Sequence, residues 1–187
     1  MRDFLTIMAE KSAERCAAAK AAVSFADLLA TARDARPALR LRRSGFDIIA
    51  EVKRASPSEG AFRLAGGDGE DARGHLAELI EQTEAYQAGG ACVISVLTEP
   101  MEFKGTLHDL AAVASDSQVP GMRKDFLVDV YQVLEARARL ASGVLLITRI
   151  LDDAQLVAMV QMARELGMFV IVEGFDEVDI DRAERLI

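Results

Sequence analysis

From residue 45 onward, short apolar runs alternate with longer stretches in which apolar residues return every three or four positions. The short runs are 47–53, 91–97, 119–124, 143–147 and 168–173. The longer stretches are 72–88, 107–114, 130–140, 153–166 and 176–187. The first pattern predicts strands buried on both faces, the second helices, so the chain reads as β-α five times over. Such strands imply a parallel sheet covered by helices. Residues 54–69 carry Ser56-Pro57-Ser58 and four glycines and read as a loop. Upstream, residues 3–22 lack Gly and Pro and predict a helix. Ser24 with Asp27 three positions on marks the start of a second helix, with Phe25, Leu28, Leu29 and Ala32 at helical spacing and Pro37 beyond its end. Periodicity leaves two architectures open, a doubly wound open sheet or a (β/α)8 barrel cut short. The turn after the first strand, residues 54–60, is neither G-x-G-x-x-G nor a P-loop.

Composition narrows the chemistry. Hydrophobic residues make up 51% of the 187 and charged residues 28%, enough apolar material for a core. Lys plus Arg is 22 against 30 acidic residues, a net charge of −8. That balance argues against a nucleic-acid backbone or an anionic membrane as partner. A local pair of lysines still suits a small anion. No apolar run approaches the ~20 residues of a membrane span. The apolar stretch 4–9 is cut short by Glu10 and Lys11, unlike a signal peptide, so a cytoplasmic protein is expected. Cys16 and Cys92 are too few for a disulfide framework or a Cys-rich zinc site. Cys92, in mid-strand, reads as a buried inert thiol. His75 and His108 fall in helical stretches and read as surface residues, and no metal site is expected.

Charge placement is the informative feature. Glu51, Lys53, Lys124 and Glu173 all lie at C-terminal strand ends. Side chains alternate across a strand, so Glu51 and Lys53 point the same way. In parallel α/β folds and barrels that end binds ligands. A Lys there can donate a proton or hold an anion, and a Glu can take a proton. A Glu-x-Lys pair is equally often a structural ion pair, but four such residues on one face point to function. Ser56 suits a phosphate or a plain turn, and Phe103 and Phe126 suit a substrate ring or a core cap.

Several motifs are specific. Ile48-Ile49-Ala50-Glu51-Val52-Lys53-Arg54-Ala55-Ser56-Pro57-Ser58 resembles the first-strand signature of indole-3-glycerol phosphate synthases, (β/α)8 barrels of tryptophan biosynthesis. Gly89-Gly90-Ala91 leading to Ile94-Ser95-Val96-Leu97-Thr98-Glu99-Pro100 resembles that family too. So do Phe103-Lys104-Gly105-Thr106-Leu107, Arg123-Lys124-Asp125-Phe126, Val144-Leu145-Leu146-Ile147 and Ile171-Val172-Glu173. The resemblance implies a helical extension over residues 1–44 and, over 45–187, an incomplete TIM barrel of five β/α units. It implies ring closure of 1-(2-carboxyphenylamino)-1-deoxyribulose 5-phosphate with loss of CO₂ and water, a carboxy-lyase reaction needing no metal or organic cofactor. By position, Lys124 matches the general acid and Lys53 the residue that holds the substrate carboxylate and assists proton transfer. Glu173 and Glu51 match the acid/base and electrostatic carboxylates. Ser56 matches a binding residue, and Phe103, Phe126 and Leu145 match the apolar walls around the anthranilate ring.

The chain departs from the family pattern at Gly121, at Gly174-Phe175 and in a longer 63–75 loop. A barrel needs ~250 residues. The sixth-strand Asn, the seventh-strand Glu-Ser-Gly and the last phosphate loops are not among these 187, as expected of a fragment. Open sheet edges are expected to self-associate. Two other readings fit the resemblance less well. One is a non-catalytic partial barrel acting through another chain. The other is a different phosphate-binding barrel such as phosphoribosylanthranilate isomerase.

Overall fold

The computed structural model describes residues 3–56, 60–61 and 72–187. Pro57 and Ser58 of the Ser-Pro-Ser turn, and most of the 63–75 loop, lie outside the described residues.

Two helices come first, α1 (Phe4–Ala22) and α2 (Phe25–Asp34). Each starts on a side-chain cap. Asp3 accepts from the Thr6 N–H at 2.8 Å, and Ser24 accepts from the Asp27 N–H at 3.1 Å. The second cap is the one the Ser24/Asp27 spacing predicts. Both helices pack on α5 (Val130–Ala138). Three polar links dock α1 there. Gln132 donates to Ser12 at 2.8 Å, the Tyr131 hydroxyl reaches the Ala19 and Val23 carbonyls, and Lys20 pairs with Asp129 at 2.6 Å.

Five strands form one sheet: β1 (Ile48–Val52), β4 (Ala91–Leu97), β5 (Gly121–Lys124), β6 (Gly143–Ile147) and β7 (Phe169–Glu173). Every adjacent pair is parallel, and the strands stand in chain order. A doubly wound sheet would reverse its order partway, so this topology belongs to a partial (β/α) barrel. The helices α3 (Ala72–Ala88), α4 (Leu107–Asp116), α5 and α6 (Asp153–Glu165) cover one face of the sheet. There Val52, Ile94, Val96, Val144 and Leu146 meet Leu79, Leu110, Val133 and Leu156, all buried. The other face is lined by Val93, Met122, Leu145 and Ile147, and Met8 of α1 is buried against them. The last helix is α7 (Glu177–Leu186).

The predicted elements lie where the pattern put them, with differences that have local causes. The strand expected from 119 begins at Gly121. Val119 is engaged instead with Ser117, whose hydroxyl donates to its carbonyl at 2.8 Å, and Pro120 has no N–H for the ladder. Gly121 packs under α4, where a Cβ would stand 3.4 Å from the Ala114 Cβ, an ordinary contact distance. The stretch read as loop from 54 contains a short antiparallel pair, β2 (Ala55–Ser56) and β3 (Gly60–Ala61). Ala55 and Ser56 are buried, and the Ala55 N–H donates to the Phe103 carbonyl at 3.2 Å, which fixes this segment to the loop after β4. His108 is exposed as expected, but His75 is only 8% exposed. It is drawn in by Asp109, whose Oδ1 lies 3.2 Å from the ring Nε2. Cys92 is half-buried rather than buried, because it borders a cavity of about 560 Å³ under the 37–42 segment.

Candidate functional site

Register explains how distant residues share one face. Glu51 lies opposite Ser95, Ser95 opposite Met122, Met122 opposite Gly143, and Gly143 opposite Phe169. Residues opposite one another in a ladder point the same way. Two residues further along, Leu97 pairs with Lys124 and Leu145 with Ile171. The next step reaches Ile147 and Glu173. Glu51, Lys124, Leu145 and Glu173 therefore all stand on the face away from the covering helices, the three charged residues at the C-terminal ends of their strands and Leu145 in the middle of β6. The Lys124 ammonium donates to Glu51 Oε2 at 2.9 Å, with the two side chains 35% and 32% exposed. The pair is half-wet, so it is accessible to a ligand rather than sealed in the core. Lys53 follows β1 directly and is half-buried. Glu173 closes β7, half-buried, with its backbone carbonyl accepting from the Thr148 hydroxyl at 3.0 Å.

An apolar wall stands beside the charges. Phe126 and Leu145 are buried, and Phe103 packs against them. The Phe103 and Phe126 ring centroids are 6.3 Å apart, and Phe4 of α1 meets Phe126 edge-on at 5.9 Å. Ser56 is buried in β2, at the entrance to the loop after β1. The structure thus brings Glu51 and Lys124 into contact and sets Phe103, Phe126 and Leu145 together. It leaves Lys53 and Glu173 on the flanks of the same strand-end face.

Residues the pattern did not single out hold this arrangement. The buried Glu99 carboxylate accepts from the backbone N–H groups of Met101, Glu102 and Phe103, at 2.9, 2.7 and 3.1 Å. It fixes the loop after β4 as an anion in a nest of amides. Asp125 lies between Lys124 and Phe126. It accepts from the Phe126 N–H at 2.8 Å, from Thr98 at 2.9 Å and from Arg123 at 3.1 Å. Asp109 joins Arg54 at 2.5 Å and His75 at 3.2 Å while capping α4 with Thr106. The available signal was charge inside otherwise apolar strand ends, at Glu99, Arg123 and Asp125. Charged residues are almost never fully buried unless paired.

Gly105 completes the loop. A Cβ there would sit 2.0 Å from the Leu97 carbonyl oxygen, and its N–H donates to the Glu99 carbonyl at 2.9 Å. Gly105→Ala must push the loop off β4. We expect a loss of about 1–3 kcal/mol in urea unfolding, the usual cost of overpacking. Unfolding midpoints unchanged from the parent would contradict this close approach.

Burial pushes the Cys16 thiol up to about 11 from 9.0, with Asp129 adding to the shift. Iodoacetamide at pH 8 should therefore alkylate Cys16 about 100-fold more slowly than an unperturbed thiol, because the thiolate is the nucleophile. Peptide mapping of the modified protein checks this. The raised value also means that the neutral thiol stabilises the fold below pH 9 and that this contribution is lost as pH rises through about 11.

Comparison with known proteins places these motifs in context. The profile of the indole-3-glycerol phosphate synthase family matches residues 5–187. An indole-3-glycerol phosphate synthase of Mycobacterium tuberculosis (strain CDC 1551 / Oshkosh) is 42% identical over 171 residues, 89% of this chain and 59% of the relative. The synthase of Mycobacterium avium (strain 104) is 42% identical over 173 residues, 90% of this chain and 60% of that protein. The chain thus spans about three fifths of the length of the curated relatives it matches.

Proposed function

Since the chain belongs to the indole-3-glycerol phosphate synthase family, we propose that it carries the proton-transfer half of that enzyme's site. Its substrate would be 1-(2-carboxyphenylamino)-1-deoxyribulose 5-phosphate, and the reaction indole ring closure with loss of CO₂ and water. The observation that carries this reading is the Lys124–Glu51 contact at 2.9 Å beside the Phe103/Phe126 wall. The roles follow from charge and place. The apolar wall with Leu145 sandwiches the anthranilate ring. Lys53 neutralises the ring carboxylate, and Ser56 at the mouth of the β1 loop adds a polar contact. Lys124, held by Glu51, gives its proton to the substrate's ketone oxygen as the new carbon–carbon bond forms, so that no free alkoxide develops. Glu51 keeps the ammonium aimed until then. Glu173 moves the proton of the dehydration step.

Among the described residues no group of three or more His, Cys, Asp or Glu side chains is arranged to hold a metal. None of the described helices is long and apolar enough to cross a membrane. A small anionic partner and a cytoplasmic setting accord with the proposed reaction. Within the described residues β1 and β7 are the edges of the sheet, and Ile48 and Ile49 are 44% and 46% exposed. The 187-residue chain alone is expected to self-associate through these edges. Sedimentation showing a compact monomer would contradict that.

Lys53→Ala separates binding from chemistry. It should raise KM in a complete barrel carrying this chain, because the ring carboxylate is held in the ground state, and also lower kcat, because the same ammonium assists proton transfer. Indole fluorescence gives both constants. An unchanged KM would remove Lys53 from the carboxylate, and an isomerase would give no indole fluorescence at all.

A further inference from the structure

We propose that Arg15, on the N-terminal helix, is the positioning residue that holds both aromatic walls of the site. The inference rests on the proposed reaction only for its kinetic arm. Phe103 and Phe126 come from different loops, 23 residues apart in sequence. Each is fixed through its backbone N–H by a buried carboxylate: Phe103 by Glu99 and Phe126 by Asp125. The two carboxylate side chains are 0% and 1% exposed, so both charges need a cation. Arg15 reaches both. Its two terminal nitrogens lie 3.4 Å from Glu99 Oε1 and 2.8 Å from Asp125 Oδ1. Arg123 also serves Asp125, but among the described residues Arg15 is the one cation paired with Glu99.

The chemistry favours a guanidinium. Its planar fork presents donors on separate nitrogens, whereas an ammonium is a point charge on a flexible stem. The same helix adds two apolar contacts, Phe4 edge-on to Phe126 and Met8 buried against Leu145 and Ile147. The link from helix to site therefore runs from Arg15 through Glu99 to the Phe103 loop, and through Asp125 to the turn that follows Lys124. Arg15 touches neither Lys124 nor Glu51. Its loss should loosen the walls and leave the proton donor in place.

The experiment compares the parent with Arg15→Met, Arg15→Gln and Arg15→Lys, all of which keep a long stem for packing. Amide hydrogen exchange needs no substrate. The N–H groups of Met101, Glu102, Phe103 and Phe126 should exchange about 10- to 100-fold faster in Arg15→Met, the weight of one charge-assisted hydrogen bond, with core amides of β4 and β6 unchanged. In a complete barrel, KM should rise by a similar factor while kcat falls less. Arg15→Lys should restore protection at one loop but not both. Unchanged exchange at all four amides in Arg15→Met and Arg15→Gln would overturn the proposal. So would full recovery in Arg15→Lys. A parent without turnover would count against the function and leave the exchange result to decide the role of Arg15.

Discussion

Replacing Lys124 with Ala should lower kcat by ~10²–10⁴-fold in a complete barrel, with KM changed much less. Lys124 faces Glu51 at the strand ends, while Phe103, Phe126 and Leu145 form a separate surface. Truncation at Lys124 would remove the proposed proton donor and leave the proposed ring contacts standing. A group whose interaction is made chiefly in the transition state affects kcat and kcat/KM together. Lys124→Arg should rescue poorly, because a guanidinium holds its proton too tightly to give it up. Glu51→Gln should weaken turnover less than Lys124→Ala, since a neutral amide still orients the ammonium by a hydrogen bond. Steady-state kinetics followed by indole fluorescence checks the series. Near-normal turnover of Lys124→Ala would move the acid role to Lys53.

The largest stability effect is expected at Asp125. Its carboxylate has four donors, the Phe126 N–H, Thr98, Arg123 and Arg15. Asp125→Ala leaves the buried Arg123 guanidinium short of its partner and orphans an amide. Removing one partner of a buried ion pair costs about 3–5 kcal/mol. Arg123 retains Glu135 at 3.1 Å and the Gln132 carbonyl at 3.0 Å, which places the expectation at the lower end. Thr98→Val, which removes a hydroxyl that donates to Asp125 and accepts from Arg123, should cost about 1.5–3 kcal/mol. Urea unfolding of the two variants measures both. Equal midpoints for Asp125→Ala and the parent would mean that the network contributes nothing to stability.

The strands were legible because burial on both faces leaves a continuous apolar run, as at 143–147, which matches β6 residue for residue. Ends set by side-chain competition were not legible, as at Val119, where a Ser hydroxyl took the backbone groups a ladder would use. The site was half legible. Charged residues terminating apolar strands stand out, so Glu51, Lys53, Lys124 and Glu173 could be found. The supports could not. Arg15 lies in a helix whose pattern resembles any Ala-rich helix, and its partners are 84 and 110 residues away. His75 looked like a surface residue because nothing local shows that Asp109, 34 positions on, draws it inward. Long-range pairing of charge is a property of the fold, and periodicity does not carry it.

In the proposed reaction the Lys124–Glu51 pair and its aromatic wall carry out a ring closure that expels the substrate's carboxylate. The most direct measurement uses substrate labelled in the ring carboxyl carbon, with a complete barrel carrying this chain. Labelled CO₂ should appear in step with indole fluorescence, and both should fall together in Lys124→Ala. Indole fluorescence without CO₂ release, or release of CO₂ undiminished by Lys124→Ala, would contradict the proposed role of Lys124 in this ring closure.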